Sequence, residues 1–255
     1  GCFLATLPDV CAQTGASVTP PELAGGGIDQ RLKQPGPPGP CFPDEQGRTV
    51  QLNSYFTSRP VIVTLVYYQC PMLCTMVLNG LVRSLRGVNL HPGRDFEIVT
   101  ISFDPKETPA LAAVKKAAYL KRYEDPGAEQ AWHFLMGDEQ AISQLTKAMG
   151  FRYRYDPAAG QFAHPSAIMV LTPDGRISRY FYGVEYPARD LRLGLVEASE
   201  GKIGTPVDQA LLFCYHYNPS TGKYGVAIWR VIRTLSILML VVLTTLLVVL
   251  FRRDR

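Results

Sequence analysis

Residues 61–68 read Val-Ile-Val-Thr-Leu-Val-Tyr-Tyr, β-branched or aromatic at every position but Leu65. Such residues favour a strand, and the lack of apolar–polar alternation marks a strand buried on both faces. A chain holding one must cover its sheet from both sides, which narrows the fold to helices packed over a central sheet. The flanking pattern supplies the parts. Further strands are predicted at 96–103, 132–136, 151–155, 167–171 and 177–182, with a short hairpin strand at 48–52. Helices are predicted from Cys70 to about residue 85, and at 108–123, 138–149 and 187–198. Pro71 suits the first helical position, where a missing N–H costs nothing. Asp138 has the side chain of a helix cap, and Asp174-Gly175 reads as a tight hairpin turn. Strands alternating with helices, then a hairpin and a last helix, predict an α/β mixed sheet flanked by helices over residues 42–200.

Outside that domain the composition changes. Residues 1–41 contain Gly25-Gly26-Gly27 and Pro35-Gly36-Pro37-Pro38-Gly39-Pro40, and read as an irregular, extended arm. Cys2 and Cys11 lie in it and Cys41 ends it. A disulfide among these three is the ordinary expectation, and Gly1-Cys2 also resembles the end of a lipoprotein processing site. At the other end, residues 234–251 carry no charge and are dense in Leu and Val. As a helix this run rises about 27 Å, close to the roughly 30 Å of a bilayer's hydrocarbon core. One transmembrane helix is therefore predicted within 230–255, with 201–229 as a juxtamembrane segment and Trp229 in the interface belt. The basic tail, Arg252, Arg253 and Arg255, favours a cytoplasmic C-terminus in the inner membrane. The domain would then face the periplasm or cell exterior, although Arg230 and Arg233 pull the other way. The net charge of +4 comes entirely from Arg230, Arg233, Arg252, Arg253 and Arg255 less Asp254. The rest of the chain is balanced and shows no basic stripe of the kind a nucleic-acid binder uses, so no nucleic-acid partner is expected.

The sharpest chemical feature is Cys70-Pro71-Met72-Leu73-Cys74, directly after the central strand and at the start of a helix. Two cysteines four apart in a first helical turn share a face, and the positive end of the helix favours their thiolates. Such a pair suits a reversible disulfide or a soft metal such as Cu(I). Thioredoxin-type reductases have two residues between the cysteines, whereas here there are three. A metal would want a third ligand. Of the four histidines, His91 precedes Pro92 in a loop and His133 sits in a short strand, so both read as structural or solvated. His164, in Phe-Ala-His-Pro-Ser just before the strand at 167, would lie beside the cysteines in a thioredoxin-like fold.

The strand–CPMLC–helix unit, the Ser-Phe-Asp-Pro stretch at 102–105 and the downstream His164 resemble the SCO/SenC copper chaperones. The resemblance covers about residues 42–200. It implies a thioredoxin-like fold, one bound copper as Cu(I) or Cu(II), and Cys70, Cys74 and His164 as its ligands, with Asp104 a nearby acidic residue. It also implies a role in assembling the copper site of cytochrome c oxidase, and hence a partner in a terminal oxidase or another respiratory membrane complex. Three departures stand out. Met72, Leu73 and Thr75 replace the family's acidic residue, valine and following proline. Ala163 replaces the usual acidic residue before the histidine, which removes the expected support for the His164 ring. The predicted membrane helix is C-terminal rather than N-terminal. Cys214 and His216, two apart, offer a second metal contact or an aromatic packing strip, while Met72, Met76 and Met169 read as packing residues. Two further functions fit the same residues: a thiol–disulfide oxidoreductase using Cys70 and Cys74 as a redox dithiol, and a permanent accessory subunit of a respiratory complex.

Overall fold

A computed structural model describes residues 26–34, 39–56 and 58–203. It also describes Tyr217–Asn218, Lys223–Tyr224 and the residues Arg233, Ser236, Ile237, Met239, Leu240, Leu243, Thr244, Thr245, Arg252 and Arg253. The chain divides into two compact units, Gly1–Ile203 and Gly204–Arg255. In chain order the first holds β1 (Gly27–Ile28), β2 (Cys41–Pro43), β3 (Thr49–Gln51), β4 (Val61–Val66) and α1 (Leu73–Leu85). These are followed by β5 (Glu97–Ser102), α2 (Pro109–Tyr123), α3 (Ala128–Ala131), β6 (Trp132–Leu135) and α4 (Glu139–Ala148). The unit closes with β7 (Phe151–Arg152), β8 (Arg154–Asp156), β9 (Gln161–Ala163), β10 (Ala167–Leu171), β11 (Ile177–Tyr182) and α5 (Ala188–Ser199).

Five of these strands form the central sheet, in the order β11-β10-β4-β5-β6. β4, β5 and β6 run parallel; β10 pairs antiparallel with both β4 and β11. All six residues of β4 are buried, as its unbroken β-branched sequence requires. α2 packs against β6, α5 against β10 and β11, and α1 lies against both α2 and α5. This is the mixed sheet flanked by helices that the sequence predicts, and it is thioredoxin-like.

A polar chain crosses the otherwise apolar core. Thr64 donates to the Thr100 hydroxyl at 2.9 Å, and the Trp132 indole N–H donates to the same oxygen at 2.9 Å. The Tyr68 hydroxyl lies 2.7 Å from the Leu135 carbonyl and 3.1 Å from that of Thr100. Every member is buried, so a one-residue slip of β4, β5 or β6 would strand several of these groups without partners. The network therefore fixes how far along the sheet the loop after β4 begins.

Three local differences from the sequence reading have clear causes. Helix α1 starts at Leu73, not near Cys70, so Pro71 lies ahead of the helix rather than at its first position. The segment 151–155 is two short strands: β7 pairs with β1, and β8 pairs with β9, a strand that local pattern does not announce. Finally, part of the supposedly irregular arm is built in. Gly27–Ile28 pairs with β7, and Asp29 N–H donates to the Gly150 carbonyl at 2.8 Å. Other expectations hold. Asp138 caps α4 by accepting the Ala141 N–H at 2.7 Å, and Gly175 adopts φ 79° in the β10–β11 turn.

Among the described residues no helix is long and apolar enough to cross a membrane. Within 234–251 only Ser236, Ile237, Met239, Leu240, Leu243, Thr244 and Thr245 are described, all helical. The rest of that predicted span lies outside the described residues, as do Cys2, Cys11, Cys214, His216 and Trp229. Cys41 is an exposed free thiol.

Candidate metal centre

The centre lies where β4 gives way to α1. The chain turns after Tyr67, whose carbonyl accepts the Cys70 N–H at 3.2 Å. Cys70 thus sits before the helix rather than in its first turn, and its side chain folds forward so that Sγ accepts the Cys74 N–H at 3.3 Å. Met72, at the N-cap, provides no side-chain cap. The Cys70 sulfur occupies that role, taking one of the N–H groups that every helix start leaves free. Cys74 Sγ in turn accepts the Tyr67 N–H at 3.3 Å. Both sulfurs are fixed by backbone on the inner side of the turn.

His164 reaches them from the β9–β10 connection, 90 residues later. Its Nε2 lies 3.4 Å from Cys74 Sγ. Its Nδ1 lies 2.9 Å from the Pro165 carbonyl. A carbonyl only accepts, so Nδ1 carries a proton, and in that tautomer the Nε2 lone pair faces the sulfur. The support that Ala163 cannot give comes from the backbone one residue later. Around the ring stand Phe103, Tyr67 and Phe151, with centroids 5.2, 5.8 and 6.3 Å away, and Phe162 packs on both Tyr67 and Phe103. Tyr67 and Phe103 follow β4 and β5, Phe151 starts β7 and Phe162 lies within β9, and nothing in their local sequence hints at a shared function.

The two thiols differ. Cys70 is pushed far below the usual thiol range, chiefly because the Cys74 thiol donates to its sulfur; the Cys74 N–H and Tyr67 add to this against the opposing effect of burial. Burial pushes Cys74 up, and the neighbouring Cys70 sulfur pushes it further. The two shifts run in opposite directions, which makes Cys70 the more readily ionised thiol and Cys74 the more firmly protonated one. Burial, and then its hydrogen bond to Cys70, keeps the Tyr67 hydroxyl protonated.

A residue absent from the sequence reading anchors the loop between β4 and Cys70. Glu107 accepts the Tyr68 N–H at 2.8 Å and the Gln69 N–H at 2.7 Å, and the Ser102 hydroxyl donates to it as well. Ser102 meanwhile accepts the Asp104 N–H at 3.1 Å. Asp104 only closes its own turn, accepting the Lys106 N–H. The two other described histidines stay apart: His91 pairs with Asp125, and His133 lies against Tyr55 and Glu97. Met169 is fully buried as expected, but Met72 and Met76 are 67% and 43% exposed, so they are not packing residues.

Among the described residues, Cys70, Cys74 and His164 are the one group able to hold a metal. Their ligand atoms lie within 4.8 Å of one another, and all three side chains are buried. Two sulfurs and one imidazole with a free lone pair match copper's preferences in both oxidation states. The same sulfurs can close a disulfide.

Comparisons with known proteins bear on the fold and the family. No curated protein matches the chain in sequence. A protein of Aquifex aeolicus VF5 is 25% identical, with a TM-score of 0.57 over 67% of this chain and 95% of its own. Two more distant structures share the fold. Arabidopsis thaliana ScoI with copper bound is 17% identical, with a TM-score of 0.52 over 65% of this chain and 98% of its own. Bradyrhizobium japonicum ScoI with copper bound is 21% identical, with a TM-score of 0.50 over 64% of this chain and 99% of its own. The SCO1/SenC family model matches residues 41–192, a stretch that contains both cysteines, Glu107 and His164. By that match, which spans more than half of its length, the chain belongs to the SCO1/SenC family.

Proposed function

We propose that the protein is a copper carrier: one copper ion is its cargo, held by Cys70, Cys74 and His164 and passed to the copper-binding subunit of a terminal oxidase. The observation that carries this reading is the His164 ring, buried beside two sulfurs with its Nε2 lone pair set toward them by the Pro165 carbonyl. A dithiol working alone has no use for that imidazole. Of the three buried ligands Cys70 takes the ion first, because its thiol is the one held below the usual range; Cys74 then gives up its proton as it becomes the second sulfur ligand. His164 completes the set without a net charge change. Release is a ligand exchange: soft donors of the recipient replace the two sulfurs and the imidazole one at a time, and Cys74 regains its proton as the ion leaves, with no change of oxidation state.

A second reading rests on the same asymmetry. A low-range thiolate beside a protonated buried thiol is also what a disulfide reductase needs: Cys70 to attack and Cys74 to resolve. His164→Ala separates the two. The carrier reading expects the variant to lose Cu(II) binding, followed by the thiolate-to-copper charge-transfer absorption, and to lose oxidase maturation, while its dithiol still oxidises and reduces. Normal oxidase assembly in His164→Ala cells, with the partner's cysteines still reduced, would replace the carrier by the reductase. The proposal includes a tether: the uncharged run 234–251 as a single membrane helix, with the copper domain facing the periplasm or cell exterior.

A further inference from the structure

The three copper ligands are almost sealed: Cys70 is 7%, Cys74 1% and His164 3% exposed. An ion arriving from another protein meets the rim of the site first. The rim is unusual. Among the described residues of the Gly1–Ile203 unit, the large apolar side chains left exposed include only two that carry sulfur, Met72 and Met76. Both belong to the turn that carries the cysteines, so sulfur occurs at 70, 72, 74 and 76. The cysteines point inward and the methionines outward.

The backbone ties the two residues to one turn. The Met76 N–H bonds to the Met72 carbonyl at 3.0 Å, so both stand at the start of α1, Met72 as its N-cap. Side chains on a helix lean toward its N-terminus. That of Met76 is therefore directed toward the start of α1, the end at which Met72 and Cys70 sit. A thioether is soft and neutral: it accepts Cu(I), discriminates against harder cations, cannot be lost to a disulfide, and holds the ion less firmly than a thiolate does.

We propose that Met72 and Met76 form a second, weak Cu(I) site at the mouth of the centre, on which the ion lands before moving down to Cys70. The inference rests on the copper-carrier reading. It explains why two large apolar side chains stand in water beside a sealed metal site: they form the low-affinity step of a path whose high-affinity end is the charged sulfur. Transfer along it is a ligand exchange in which one Cu–S(thioether) bond at a time is replaced by a Cu–S(thiolate) bond, with no change in copper's oxidation state.

The test uses the full chain labelled with ¹³C at the methionine ε-methyls, and Ag(I) as a redox-inert stand-in for Cu(I). In reduced wild-type protein the first equivalent of Ag(I) goes to the buried sulfurs. The second should shift the Met72 and Met76 methyl signals together and leave those of the buried Met136, Met149 and Met169 in place. In Met72→Leu/Met76→Leu, which keeps apolar bulk at two exposed positions, stopped-flow transfer from a Cu(I)–chelator complex should slow by about tenfold, with final stoichiometry and affinity unchanged. Methyl signals that stay put, or a transfer rate equal to wild type, would overturn the proposal. Failure of the carrier reading looks different: the first equivalent would then also appear at the methionines, with no copper retained by the cysteines and His164.

Discussion

Removing the Glu107 carboxylate tests whether the loop in front of Cys70 is held in the way described. Glu107→Ala loses bonds from the Tyr68 N–H, the Gln69 N–H and the Ser102 hydroxyl. Gln69 is exposed, so its N–H returns to water at little cost. Tyr68 and Ser102 are 2% and 0% exposed and have no such recourse. A bond to a charged acceptor contributes about 1.5–3 kcal/mol, and a stranded buried donor costs a similar amount. Two such donors set an upper figure near 5 kcal/mol, of which the burial that raises the Glu107 pKa already offsets a part. The expected net loss is about 3 kcal/mol. Urea unfolding of the reduced protein measures it: the midpoint should fall by about 1.5 M at an m-value near 2 kcal/mol/M, with the slope unchanged. Glu107→Gln should recover only part of the loss, because one carboxamide oxygen can face one amide while its NH₂ opposes the other. A loss below about 1 kcal/mol in Glu107→Ala would show that the loop holds itself and would refute the reasoning.

Three more outcomes follow. Gly80→Ala places a Cβ 1.9 Å from the Val184 carbonyl oxygen, so it should destabilise the fold by about 3 kcal/mol, read as a lowered thermal midpoint. Burial raises the Asp44 carboxyl, but bonds from the Arg48 side chain and from the Arg48 and Gln46 N–H groups outweigh it and leave the pKa lowered. Its stabilising effect is therefore present above the ordinary carboxylate value near 3.9 and lost as pH falls through the folded value, so the stability gap between wild type and Asp44→Asn should close across that acid window. Protease added to intact spheroplasts should digest the copper domain and spare a C-terminal tag; a protected domain would reject the proposed topology.

The parts of this fold that could be read from sequence are those set by local pattern. The run 61–68 gives the central strand because burial on both faces leaves no polar alternation to confuse it. The Asp138 cap gives the start of α4 because the capping bond is local. The start of α1 is misread for an instructive reason: the preference of proline for the first helical position gives way to Cys70, whose sulfur must fold over the helix end. Strand β1 owes its existence to β7, far along the chain, so a short sequence window carries no trace of it; β9 pairs with the neighbouring β8 across a short turn, but its three residues are too few to show an alternating pattern. The cysteine pair is legible from spacing alone, whereas His164 needs the fold, since nothing in Phe-Ala-His-Pro-Ser marks a ligand without a strand to place it. Glu107 is invisible for the opposite reason. In Lys-Glu-Thr before a helix it looks like one more solvated charge, and its role appears only when the loop after β4 is laid beside it.

The distance along the chain between the ligands has a thermodynamic consequence. Cys70 and Cys74 follow the middle strand of the sheet, while His164 precedes β10, which joins that strand antiparallel. An ion bound by all three therefore bridges the parallel half of the sheet to its antiparallel half, and it binds only when the two are docked. Linkage then makes the cargo a clamp: at a free concentration 100 times its dissociation constant it adds about 2.7 kcal/mol to the docked state. The same sum runs in reverse at delivery. When the ion leaves, the hairpin of β10 and β11 loses that increment, so the empty carrier should exchange its amide hydrogens there faster than the loaded one, and a recipient could tell the two apart by stiffness alone.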